Sequence, residues 1–93
     1  MTEPTHFKLR LYIAGDAPNS LSAVANLRDF CRECLADRCE IEIVDVLIDP
    51  RRALDDGVLL TPTLVKLSPA PVRQIVGSLS DRTRLLQAIG PLA

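Results

Sequence analysis

From Lys8 to Ala14 the side chains alternate, with Leu9, Leu11 and Ile13 on one side and Lys8, Arg10 and Tyr12 on the other. A two-residue period of this kind predicts a strand with one aliphatic face. Gly15 ends it, and Gly15 to Ser20 reads as a turn in which Asn19 or Ser20 can cap a helix, since a short side-chain oxygen accepts a bond from a free backbone N–H. The helix is expected from Leu21 to about Asp37. Val24, Leu27, Cys31, Cys34 and Leu35 step by three or four along it and form its inward face. From Glu40 a second alternation sets Ile41, Ile43 and Asp45 against Glu42, Val44 and Val46. A strand joined to a strand through one helix implies a parallel pair with a right-handed crossover.

Asp49 as cap, Pro50 at the first helical position and Gly57 as stop delimit a short helix of about two turns. The Thr61–Leu67 stretch then returns to strand, Ser68–Pro71 is a stiff turn, and Val72–Val76 is a last strand ended by Gly77. Ser80 is expected to cap a helix whose stripe is Leu85, Leu86 and Ile89. The resulting order, β-α-β-α-β-β-α, with a parallel pair, an antiparallel hairpin and a closing helix, is that of a single α/β domain of thioredoxin-like fold spanning residues 1–93, its first six residues flexible. Thr-Pro-Thr-Leu entering a strand marks Pro62 as a candidate cis-proline, because only a proline peptide makes the cis form inexpensive.

Composition narrows the functional classes. The 93 residues include 47% hydrophobic side chains, and 11 basic residues face 12 acidic ones for a net charge of −1. No basic block is present to follow a phosphate backbone, so nucleic acid is not an expected partner. The aromatic residues are Phe7, Tyr12 and Phe30 alone. No apolar run approaches the roughly 20 residues of a membrane span, and the polar start lacks a signal-peptide pattern, so the chain reads as cytoplasmic with reduced cysteines.

Cys31 and Cys34 form a Cys-x-x-Cys, with Cys39 five residues on. In redox proteins of this fold the reactive sulfurs sit at the turn before the first helix, where the helix N-terminus favours thiolate. Here that turn, Gly15 to Ser20, has no sulfur, and the sole histidine, His6, is near the terminus. The pair lies mid-helix on the core-facing stripe, where a thiol behaves as a small hydrophobe. Redox or stress-response chemistry through Cys31 and Cys34 is therefore the alternative reading, and a packing role the first. Three sulfurs fall short of a four-ligand zinc site, so neither metal nor cofactor is expected. Asp55, Asp56, Arg51 and Arg52 read as a solvated helix face. No nucleophile–base pair or phosphate-binding glycine loop appears, which favours a binding module over an enzyme.

The stretches LRLYIAGDAPNS, IEIVDVLIDP, LLTPTLVKLSPAPVRQIVG and LSDRTRLL, in that order from Leu9 to Leu86, resemble the KaiB circadian clock proteins. The resemblance implies a non-enzymatic partner of the ring ATPase KaiC that modulates its phosphorylation cycle, competes with SasA-type kinases and recruits KaiA where that is present. It also implies two folds: a tetrameric ground state, and a monomeric thioredoxin-like form that binds. The first half, to about Pro50, keeps its structure, and the second half, around Pro62, Pro69 and Pro71, is rebuilt. Carried over by position, the partner-binding residues are Asp45, Leu47, Asp49 and Pro50, with Arg73. The ending QAIGPLA replaces the family's longer tail, with Gly90-Pro91 stopping the last element, and the thioredoxin-like form is the expected one.

Overall fold

The computed structural model describes residues 5–89. Its elements are β1 (Phe7–Ile13), α1 (Pro18–Cys34), β2 (Cys39–Asp45), α2 (Pro50–Asp55), β3 (Thr63–Ser68), β4 (Arg73–Val76) and α3 (Arg82–Ile89). They form one sheet in the order β2-β1-β3-β4. β1 runs parallel to β2, from Phe7 opposite Cys39 to Ile13 opposite Asp45, and antiparallel to β3. β4 closes the hairpin, with Thr63 opposite Val76 and Lys66 opposite Arg73. The arrangement is the thioredoxin-like one, with residues 63–68 in strand. The Thr61–Pro62, Ser68–Pro69 and Ala70–Pro71 peptides are cis. The expected stop at Gly90-Pro91 and the first four residues lie outside the described residues.

The alternation in β1 becomes two faces of unlike chemistry. Phe7, Leu9 and Leu11 pack with Ala23, Leu27, Phe30 and Cys31 of α1 and Leu35 just past its end, with Leu64 and Ile75 of the hairpin, and with Leu85 and Ile89 of α3. That side is an aliphatic core sandwiched between the sheet and two helices. The other face carries a smaller cluster of Tyr12, Val44, Ala53, Val58 and Val65 beneath α2. Burying a large aliphatic or aromatic side chain stabilises by about 1.5–3 kcal/mol, so the α1/α3 side holds most of the apolar driving force.

Several ends differ from the expectation for local reasons. α1 begins at Pro18 with Ala17 as its cap residue and no side-chain cap. Ser20 is buried instead, and its Oγ accepts the Ala14 N–H at 3.1 Å, tying the helix to the end of β1. β2 stops at Asp45 because the N–H groups of Ile48 and Asp49 turn back to the Asp45 carbonyl. Asp49 precedes α2 without a side-chain cap bond. α3 is capped by Asp81 rather than Ser80: its Oδ1 accepts the N–H groups of Thr83 and Arg84 at 3.0 and 3.2 Å.

The far end of α1 is closed by backbone alone. The N–H groups of Leu35 and Asp37 both donate to the Cys31 carbonyl, at 3.1 and 3.0 Å, and Ala36 adopts a left-handed φ of 51°. Asp37 follows with φ 59°, so the reversal is made by two consecutive left-handed residues, neither of them the glycine that usually takes such a position. The Phe7 N–H then bonds the Arg38 carbonyl, so the chain re-enters the sheet at once as β2.

Candidate partner-binding surface

At the C-terminal end of the parallel strands the chain makes three connections: β1 to α1, β2 to α2, and α2 to β3. Asp45 organises the first two. Its Oδ1 accepts the Gly15 N–H at 3.1 Å and the Leu47 N–H at 2.9 Å, while the Val46 N–H reaches the Ile13 carbonyl. Gly15 has φ +56°, and a Cβ there would lie 3.2 Å from the Leu47 Cδ1. Glycine thus serves both the left-handed turn and the close approach of Leu47.

Around this framework the large apolar side chains face outward. Leu47 is 72% exposed, Ile48 82%, Leu54 72%, Leu59 89% and Leu60 62%. Leu21, on the first turn of α1, is exposed as well. Leu47 and Ile48 of the β2–α2 connection, Leu59 and Leu60 of the α2–β3 connection and Leu21 at the start of α1 belong to this end, with Leu54 on α2, and exposed apolar patches mark places where another protein docks. Pattern reading missed Ile48, Leu54, Leu59 and Leu60. The available signal was that the apolar residues from Leu47 to Leu60 fit neither a helical nor a strand period.

Of the residues proposed from the sequence, Asp45, Leu47, Asp49 and Pro50 lie together at this end, with Leu47 and Pro50 exposed and Asp45 turned into its own loops. Arg73 does not join them. It pairs with Lys66 at the opposite end of β3, on the side that faces α3. Lys66 is buried there, its Nζ 3.4 Å from the Ile89 carbonyl, and burial, with Arg73 adding, lowers its pKa.

Beneath the leucines α2 is fastened by charge. Arg10 donates to Glu42 at 2.7 Å and to Asp56 at 2.8 Å, and Arg52 reaches the same Glu42 oxygen at 2.7 Å. The buried Tyr12 hydroxyl lies between the Asp56 carboxylate and the Arg52 carbonyl. Arg52 and Asp56 are therefore half-buried members of a network and not a solvated face. The Arg52 and Arg10 guanidinium groups hold the Glu42 carboxyl down at about 2. Burial works to raise Asp56, but the Tyr12 hydroxyl and Arg10 override it and keep the group below its ordinary value.

No sulfur occupies the β1–α1 turn. Cys31 is buried in the core, Cys34 and Cys39 are half-buried, and all three are free. Among the described residues no group of three or more His, Cys, Asp or Glu side chains could hold a metal ion, and no helix is long and apolar enough to cross a membrane.

The KaiB domain family matches residues 10–91. The chain belongs to the KaiB family. Among its relatives are the circadian clock oscillator protein KaiB of Prochlorococcus marinus, 46% identical over 78 residues, and the circadian clock protein KaiB3 of Synechocystis, 42% identical over 78 residues. Each match takes in 84% of this chain, and 66% and 76% of the respective relatives, so the chain spans about two thirds to three quarters of their length. Among solved structures, the N-terminal domain of Synechococcus elongatus SasA superposes with a TM-score of 0.76 at 20% identity, over 96% of this chain and 88% of that domain. The Drosophila melanogaster thioredoxin Deadhead gives 0.69 at 15% identity, over 86% and 74%. At such identities these two likenesses speak for the thioredoxin-like fold of this KaiB chain alone.

Proposed function

We propose that this KaiB-family chain is a non-enzymatic clock or signalling protein that docks on the ring of a KaiC-like ATPase and modulates its phosphorylation cycle. The observation that carries the reading is the exposed apolar end formed by Leu47, Ile48, Leu54, Leu59 and Leu60 in a chain whose relatives are named circadian clock proteins. Asp45 shapes that end, Asp49 and Pro50 launch α2 from it, and Arg73 is a second contact at the far end of the hairpin. The reading includes competition with SasA-type kinases for the ring and recruitment of KaiA where that protein exists. It also includes a cytoplasmic location. The second half, with Pro62, Pro69 and Pro71, is the part exchanged between this monomeric binding form and a tetrameric ground state.

The test is capture of the chain by a KaiC-homologue ring loaded with ATP or ADP, with Leu59→Asp alongside. Leu59 is 89% exposed, so the substitution should move the unfolding free energy by no more than about 0.5 kcal/mol. The reading expects nucleotide-dependent capture of the natural chain and its loss in the variant. Absence of capture in both nucleotide states would overturn it.

A further inference from the structure

Lys66 and Arg73 stand directly opposite each other on β3 and β4. Opposed residues share a face of the sheet, and here it is the face on which Leu64 and Ile75, two residues away on each strand, pack toward α3. Like charges opposed across a ladder destabilise it. Lys66 is moreover only 5% exposed, and its Nζ reaches the Ile89 carbonyl at a long 3.4 Å, which occupies one of three donors. Among the described residues neither cation has a carboxylate within ion-pair distance, whereas Arg10, Arg32, Arg52 and Arg82 each do.

α3 brings a third cation to the same place. Arg84, Gln87 and Ala88 are three or four residues apart and share a helix face, beside the Leu85 and Ile89 that enter the core. With Arg73, Gln74 and Ile75 of β4 they line an open surface cavity of about 290 Å³. β4 is an edge of the sheet, so no further strand covers it. The Gln74 side chain is engaged elsewhere, its Nε2 donating to the Asp56 carbonyl at 2.8 Å. The cavity is thus left with the exposed guanidinium groups of Arg73 and Arg84 and the Gln87 amide as its polar side chains, and no carboxylate lines it. Asp81 belongs to an adjoining cavity of about 210 Å³, which Arg84 also lines, and its Oδ1 accepts the N–H groups of Thr83 and Arg84.

We infer that the cavity between β4 and α3 is an oxyanion site that takes a phosphoryl group, free or as a monoester, on Arg73 and Arg84 with Gln87 as a neutral donor. A guanidinium offers paired N–H donors that match phosphate oxygens. Lys66 lies behind them, where burial shields its charge from screening by solvent and so extends the positive field into the cavity. Burial and the Arg73 charge both lower the Lys66 pKa; a bound anion offsets the repulsion between the two cations. The site is at the α3 end of the hairpin and belongs to the isolated chain, so it stands apart from docking on a ring.

The experiment follows backbone amide and arginine side-chain NMR signals of the isolated chain during titration with inorganic phosphate or phenyl phosphate, with chloride holding ionic strength constant. The expected result is saturable shifts centred on Arg73, Ile75, Arg84 and Gln87. Arg73→Gln and Arg84→Gln, at exposed positions, should each weaken binding by about tenfold or more through loss of a charge-assisted bond, and Arg51→Gln on α2 should leave it unchanged. Tighter binding of phenyl phosphate assigns a monoester as the ligand and tighter binding of phosphate the free anion, and both support the site. Absent or non-saturating shifts, shifts spread equally over Arg28, Arg38 and Arg51, or binding that survives both glutamine substitutions would each overturn the proposal.

Discussion

Replacing Tyr12 by Phe removes one oxygen from the place where α2 meets the sheet. Tyr12 is 0% exposed, and its hydroxyl serves the Asp56 carboxylate and the Arg52 carbonyl, at 2.9 Å from the latter. A hydrogen bond to a charged acceptor contributes about 1.5–3 kcal/mol. Arg10 still neutralises Asp56 from 2.8 Å, which places the expected loss at the lower end, near 1.5 kcal/mol. A domain of this size has about 5–14 kcal/mol in total, so the variant folds but unfolds measurably earlier. With a urea slope of about 1–3 kcal/mol/M, the midpoint should fall by roughly 0.5–1.5 M, read by far-ultraviolet circular dichroism.

A pH signature accompanies the change. Burial, and then the bond to Asp56, push the Tyr12 hydroxyl up to about 12 from its ordinary 10. A folded-state value above the unfolded one means that the stabilisation is complete below pH 10 and is lost as pH rises through about 12. The slope across that window is at most about 1.4 kcal/mol per pH unit. Tyr12→Phe should lack it. As the chain has one Tyr and no Trp, the tyrosinate absorbance of the native protein reports this group alone. A midpoint shift equivalent to less than 0.5 kcal/mol, well below the range for such a bond, together with an ordinary tyrosinate titration, would refute the reasoning.

Two further outcomes are expected. Because Glu42 is depressed from 4.5 to about 2 by Arg52 and Arg10, its contribution is complete above pH 4.5 and disappears as pH falls through 2; Glu42→Gln should flatten that part of the acid-unfolding curve. Asp81→Ala removes the cap of α3 and should cost about 0.5–2 kcal/mol, with hydrogen exchange of the Leu85 and Ile89 amides accelerating before those of β1.

The element order was legible because each strand and helix carries its own period, and the hydrophobic face of β1 predicted which side α1 would cover. The network around Tyr12 was not. Arg10 and Asp56 are 46 residues apart in the chain and meet only when α2 lies on the sheet, so a window of local sequence shows two isolated charges. The end of β2 differs for a related reason: the alternation runs on to Val46, while the Asp45 side chain and carbonyl draw the chain into a turn. Leucines pose the converse problem. Leu27, 1% exposed, was marked inward by its helical period, whereas Leu59, 89% exposed, stands between elements where no period places it. Asp45, Leu47, Asp49 and Pro50 stayed together because they are neighbours in sequence, whereas Arg73 was separated from them by the direction of the hairpin.

The sheet has one side closed by aliphatic packing and one side fastened by charge, and the two respond to different features of the solvent. Electrolyte weakens the Arg10, Glu42, Arg52 and Asp56 contacts in part, because their side chains are 22–46% exposed although the 2.7–2.8 Å separations lie well inside the screening length of about 8–10 Å at ordinary ionic strength. It leaves the contacts between Phe30, Leu27 and Leu85 essentially untouched. Salt thus loosens α2 and the leucine-bearing loops it supports, while α1 and α3 remain seated. One domain contains two layers of unequal ionic sensitivity, with the outward-facing leucines riding on the weaker one.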